Sequence, residues 1–221
     1  MKFLKNLMFA AVALSTITAV GCGGGSGASK GSEAPEVSAI DELKAIPAQL
    51  DADVNKLMAP IDGVQSMLDQ LSSLPAKTGL SAKDLVGQVK AIMDGAPAPT
   101  VDGLKAEGKA EFDTFLAQVK QFKEDIAATP DRVAGLTATC AALTAKVPVL
   151  ATKVTASATT VAANPFAAAE EKAKAKADAD AVVGVQQQIS TKISETQQKI
   201  TGIPGMAAGA LAKFTAALAG G

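Results

Sequence analysis

One spacing governs this chain. Phe112, Val119, Ile126, Val133, Cys140, Val147, Val154 and Val161 recur every seven residues. Phe115, Phe122, Thr129, Leu136, Leu143 and Leu150 follow three positions later. These are the a and d positions of a heptad, which place one apolar seam along a helix and demand a partner helix to cover it. No stretch from Val37 onward alternates apolar and polar residues over a strand's length, so the pattern predicts an all-α body.

The same periodicity appears on both sides of that run. Leu50, Val54, Leu57, Ile61, Val64, Leu68 and Leu71 are separated by alternating steps of four and three. Ser38, with Asp41 three residues on, is a capping signal for the start of this helix. Pro75 is expected to close it, and Pro47 and Pro60 to kink or break it. A short helix is expected from its N-cap Ser81 to Asp94, with Leu85, Val89 and Ile92 on one face and Gly95 as its stop. Downstream, Thr129-Pro130-Asp131 reads as N-cap, first-turn proline and acidic first turn, and Asn164-Pro165 repeats the signal. Helices are therefore expected near 103–128, 130–163 and 165–201. The last carries Val182, Ile189, Ile193, Ile200 and Ile203 on its seam, ends at Gly202 and Pro204-Gly205, and is followed by one more short helix over 206–218. At 1.5 Å per residue the main rods come to about 50–55 Å each, which suits an elongated antiparallel helical bundle with coiled-coil-like heptad packing. The competing arrangement is one rod over 103–201, about 150 Å long, paired with a second copy. Short proline-containing joints favour the bundle, and the unbroken heptad frame favours the rod. The bundle is expected.

Composition excludes many functions. Among 221 residues there is no His, Trp or Tyr, and there are two Cys. Without imidazole there is neither Ser-His-Asp nor Cys-His machinery, and no His ligand for zinc. A formal charge of −1 offers no footprint for nucleic acid. No cofactor or metal set is visible, and no catalytic residues are assigned.

Residues 1–22 stand apart. Lys2 and Lys5 form a basic start, Leu7 to Leu14 an apolar run too short to span a bilayer, and Ala19-Val20-Gly21-Cys22 a small-residue end. This order resembles the signal of bacterial lipoproteins, with Ala19–Cys22 as the lipobox. The resemblance implies cleavage between Gly21 and Cys22, a diacylglyceryl group on the Cys22 sulfur and acylation of the new amine. It also implies membrane anchoring through that lipid, with the outer membrane favoured in a Gram-negative host because Gly23, not Asp, follows the Cys. Residues 22–36 then read as lipidated Cys and Gly/Ser-rich tether, with a relaxed reach on the order of 20 Å and a stretched one of about 50 Å. The body is 37–221.

Further candidates compete with plainer readings. Cys140 sits at an a position and reads as a small core residue rather than a reactive thiol, since there is no His and no Lys or Arg nearer than Arg132 and Lys146 to lower its pKa. Asp51 and Asp53, like Asp178 and Asp180, resemble fragments of a calcium loop but lack its Gly and its bidentate Glu. Residues 133–169 carry only Lys146 and Lys153 as charges. They read either as a membrane-inserting hairpin or as a central bundle helix, the latter preferred because Thr152, Thr155, Ser157, Thr159 and Thr160 oppose insertion. Residues 206–218 could lie on a membrane or dock on the bundle. The functional expectation is a lipid-anchored, non-enzymatic helical envelope protein serving as a spacer or as a scaffold for a protein partner. An apolipoprotein-like carrier of lipid and a helical membrane-perturbing protein are the alternatives.

Overall fold

The computed structural model describes residues 38–97 and 103–219. The signal, Gly21, Cys22 and the tether lie outside the described residues. Five helices follow in order among them: α1 (Ala39–Asp62), α2 (Val64–Thr78), α3 (Ala82–Asp94), α4 (Ala106–Ala163) and α5 (Ala169–Ala219), with no strand. The body is an all-α bundle.

Local chemistry sets several ends as the sequence predicts. Ser38 accepts from the Asp41 N–H and donates its hydroxyl to the Asp41 carboxylate at 2.6 Å. Ser81 and Asp84 repeat this at the start of α3. Gly95 caps α3 in the left-handed region (φ 79°), and Lys123 of α4 donates to the Ile92 carbonyl at 3.1 Å.

The prolines do less than the sequence suggests. α1 passes through Pro47 and Pro60 and yields only at Gly63, whose backbone is itself near-helical. Gly63 donates to Ala59 and its carbonyl accepts from Met67, so α1 and α2 form one rod with a one-residue interruption. α2 continues beyond Pro75 to Thr78, where the left-handed Gly79 donates back to the Pro75 carbonyl. α4 runs unbroken through Pro130 and Pro148, so the expected joint at Thr129-Pro130 is absent. α5 runs through Gly202, Pro204 and Gly205, and the expected separate helix over 206–218 is its continuation. The physical reason is one of magnitudes. An interior proline costs about 3 kcal/mol, whereas each fully buried Val, Leu, Ile or Phe contributes about 1.5–3 kcal/mol. Seam residues lie on both sides of every proline, and a hinge would turn several of them out of register. Pro130, Pro148 and Pro204 are exposed, so water can reach the carbonyls they leave unpaired. Of the two expected Thr/Asn-Pro joints only Asn164-Pro165 is a turn, and there Pro165 stands in the turn while α5 begins four residues later.

Two cores lie end to end. The first joins α1 to the second half of α4 and the first two-thirds of α5, around Leu43, Leu50, Cys140, Leu150, Ile189 and Ile203. The second joins α2, α3, the first half of α4 and the end of α5, around Leu74, Leu85, Val89, Phe115, Phe122 and Phe214. Every heptad position from Phe112 to Val154 is buried or half-buried, and the seam fades at the exposed Ser157. Cross-helix pairs fix the directions. Glu42 pairs with Lys146, and Glu111 with Lys77 at 2.8 Å, so α1–α2 runs antiparallel to α4. Asp51 pairs with Lys192 at 2.6 Å, and Lys213 donates to Gln65 at 2.6 Å, so α1–α2 runs parallel to α5.

Residues 206–218 are docked. Ala207, Ala210, Phe214 and Leu218 are buried, and the Phe214 ring meets Phe122 with centroids 5.4 Å apart.

Candidate functional site

The feature that stands out is the end of the bundle where α4 turns into α5. Asn164 ends α4, donating its N–H to the Thr160 carbonyl. Its side-chain Oδ1 accepts from the Phe166 N–H at 3.0 Å, and its carbonyl accepts from Ala167. The Glu171 carboxylate then accepts from the Ala168 N–H at 3.2 Å, closing the start of α5. A tight, internally bonded turn thus presents Phe166, whose side chain is 94 % exposed. The other described phenylalanines, Phe112, Phe115, Phe122 and Phe214, are all at most 4 % exposed.

Around this turn the chain carries no charge from Val154 to Ala169. Its hydroxyls are turned inward: Thr155, Thr159 and Thr160 each donate to the carbonyl four residues back. Beside it lies an open groove of about 550 Å³, lined on one side by Ser38, Ala39 and Ile40 and on the others by residues of α4 and α5 including Ser157, Val161, Lys174 and Asp178. The start of α1 therefore lies against the hairpin end.

The remaining candidates are accounted for by neighbours. Cys140 is fully buried in the first core, and that burial pushes its thiol pKa up, the opposite of what a reactive thiolate needs. Asp51 is held by Lys192 and Asp53 by Lys56 at 3.3 Å. The Lys192 ammonium is pushed up by its hydrogen bond to Asp51 and by the charges of Asp51 and Glu195. Asp178 and Asp180 lie on α5, two residues apart and so on different faces. Among the described residues no group of three or more His, Cys, Asp or Glu could hold a metal ion.

Midway along the bundle two open grooves share Lys56 and Arg132. The Arg132 guanidinium donates to Asp125 at 2.6 Å and Lys56 faces Asp53, so both cations are matched. By length and composition α4 over Gly108–Ala163 and α5 over Ala169–Ala219 are apolar enough to cross a bilayer, a weak pointer to membrane association. In the bundle each instead keeps a buried seam on one side and Ala, Thr and charged residues on the other.

Sequence reasoning placed the heptad seam and Cys140 but passed over Phe166. The signal was there: an aromatic residue directly after Asn-Pro, in step with neither flanking seam. Compared with family models, curated proteins and solved structures, the chain matches none.

Proposed function

We propose that this chain is a lipid-anchored, non-enzymatic helical protein of the bacterial envelope, acting as a spacer and interaction scaffold. The observation that supports it is where α1 begins. Ser38 lies against the hairpin end, so an acylated Cys22 on a tether with a relaxed reach on the order of 20 Å would hold that end near the membrane. The 58 residues of α4 come to about 87 Å. The end built from α2, α3 and the start of α4 would then stand well away from the bilayer and be available to a protein partner. Two or more acyl chains, each worth about 0.8 kcal/mol per buried CH₂, make such an anchor stable.

The carrier and membrane-perturbing alternatives both need the seams to open. Those seams are filled by side chains from three or four helices in each core, and opening them would expose the whole apolar inventory of the fold. The test is metabolic labelling with a fatty acid in a bacterial host. The full chain should incorporate label and fractionate with membranes, and Cys22→Ala should do neither. Equal labelling of the variant overturns the reading.

A further inference from the structure

We propose that the α4–α5 turn is itself a lipid-docking element, with Phe166 as a shallow wedge into the bilayer interface; this rests on the lipid-anchor reading for which membrane it meets. Exposing one large apolar side chain is ordinary on a protein surface, but this one is set apart in three ways. Its backbone N–H is tied to the Asn164 side chain, so the exposed ring stands on a bonded turn rather than on a loose segment. It sits within a sixteen-residue stretch, 154–169, without a charge, four residues before Glu170. The hydroxyls beside it bond to their own helix, which removes much of the cost of taking them out of water.

The occupant follows from where the chain enters. Ser38 lines the same groove as Ser157 and Val161, roughly 5–10 Å along the helix from the turn, so a lipid anchor entering at Ser38 would bring this end of the bundle to the membrane. Depth is limited by Glu170 and Glu171, which begin α5 immediately after the turn. That restricts entry to the interface and excludes a spanning hairpin. Lys172, Lys174 and Lys176 are offset by Glu170, Glu171, Asp178 and Asp180, so the contact is apolar and needs no anionic lipid. Anchor and wedge together would fix the bundle's tilt, which a single point of attachment cannot do.

The absence of Trp makes the test direct. The full chain carrying Phe166→Trp is reconstituted into phosphatidylcholine vesicles containing a lipid with a quencher near the headgroup. Val183→Trp, at an exposed position about 21 Å along α5 from its start, is the reference. An apolar element at the interface sits about 5–10 Å deep, so quenching at position 166 should exceed that at 183 by about two-fold or more. Equal quenching at the two positions in chains that float with the vesicles overturns the wedge and leaves the anchor standing. Preferential quenching that survives Cys22→Ala supports the wedge and overturns the anchor as its cause. An indole at 166 that stays in water on vesicles but shifts to the blue with envelope extract overturns the proposal in favour of a protein partner.

Discussion

Two glycines of α4 give the packing a test whose sign depends on tertiary structure alone. Gly108 lies in the first turn, where α4 crosses the end of α2. Lys105 donates its N–H to the Thr78 carbonyl at 3.1 Å, and Gly108 donates to Lys105 at 3.0 Å, which holds the two helices together. A Cβ at 108 would meet the Lys77 carbonyl oxygen at 2.6 Å and the Thr78 Cα at 2.8 Å, both backbone atoms. Neither can swing aside, so α4 and α2 must separate, an overpacking that costs about 1–3 kcal/mol. The gain in helix propensity, up to about 1 kcal/mol, offsets part of it. Gly108→Ala is expected to lose up to about 2 kcal/mol net when that gain is fully realised. Gly135 is also helical and exposed, and a Cβ there meets nothing within 4 Å. Gly135→Ala is therefore expected to gain about 0.5–1 kcal/mol. Thermal melts followed by helical circular dichroism would register both, at about 2–4 °C per kcal/mol for a chain of this size. The single residue type changed is the same, so helix propensity predicts the same sign twice. Two melting points that rise together would refute the close approach of α4 to α2.

Two other perturbations follow from the same structure. Pro130→Ala restores a missing N–H inside an unbroken, exposed stretch of α4 and should stabilise by up to about 3 kcal/mol, less the roughly 0.4–1 kcal/mol of unfolded-state restriction that is lost; a variant less stable than the parent in urea titration would mean that α4 bends there. Cys140 should react with a thiol reagent at the rate of core opening, and Cys140→Ser should cost about 1–3 kcal/mol by placing a hydroxyl among apolar side chains. Its raised pKa has a definite sign: the unfolded thiol ionises first, so its contribution is full below the ordinary value of about 8.5 and is lost as pH rises through the higher folded value. Denaturant midpoints should fall at alkaline pH more steeply for the parent than for Cys140→Ala, and parallel pH profiles would remove burial as the cause.

The candidate site was only half legible. Its lack of charge could be read directly, as could the stop at Asn164. That Phe166 points into water could not, because an aromatic beside a helix end is as often a staple onto the neighbouring turn; only the packed arrangement of α4 and α5 shows the ring exposed. Its nearness to Ser38 is a fact of packing, with well over a hundred residues between them in sequence.

What this sequence determined by itself is what local chemistry and period can specify: helix rather than strand, the faces that are buried, the caps at Ser38, Ser81 and Gly95, and Cys140 in the core. Each rests on residues within a turn or two of one another. Tertiary structure decided where the helices are continuous. Pro130 and Pro204 carry strong local stop signals, worth about 3 kcal/mol each, but the cost of a break is set by residues that meet across helices. Ile200, Ile203, Ala207, Ala210 and Phe214 can be buried together only if α5 stays straight enough to reach α2 and α4. That burial exceeds the local penalty, and so the last segment, ambiguous between membrane and bundle when read alone, closes the second core.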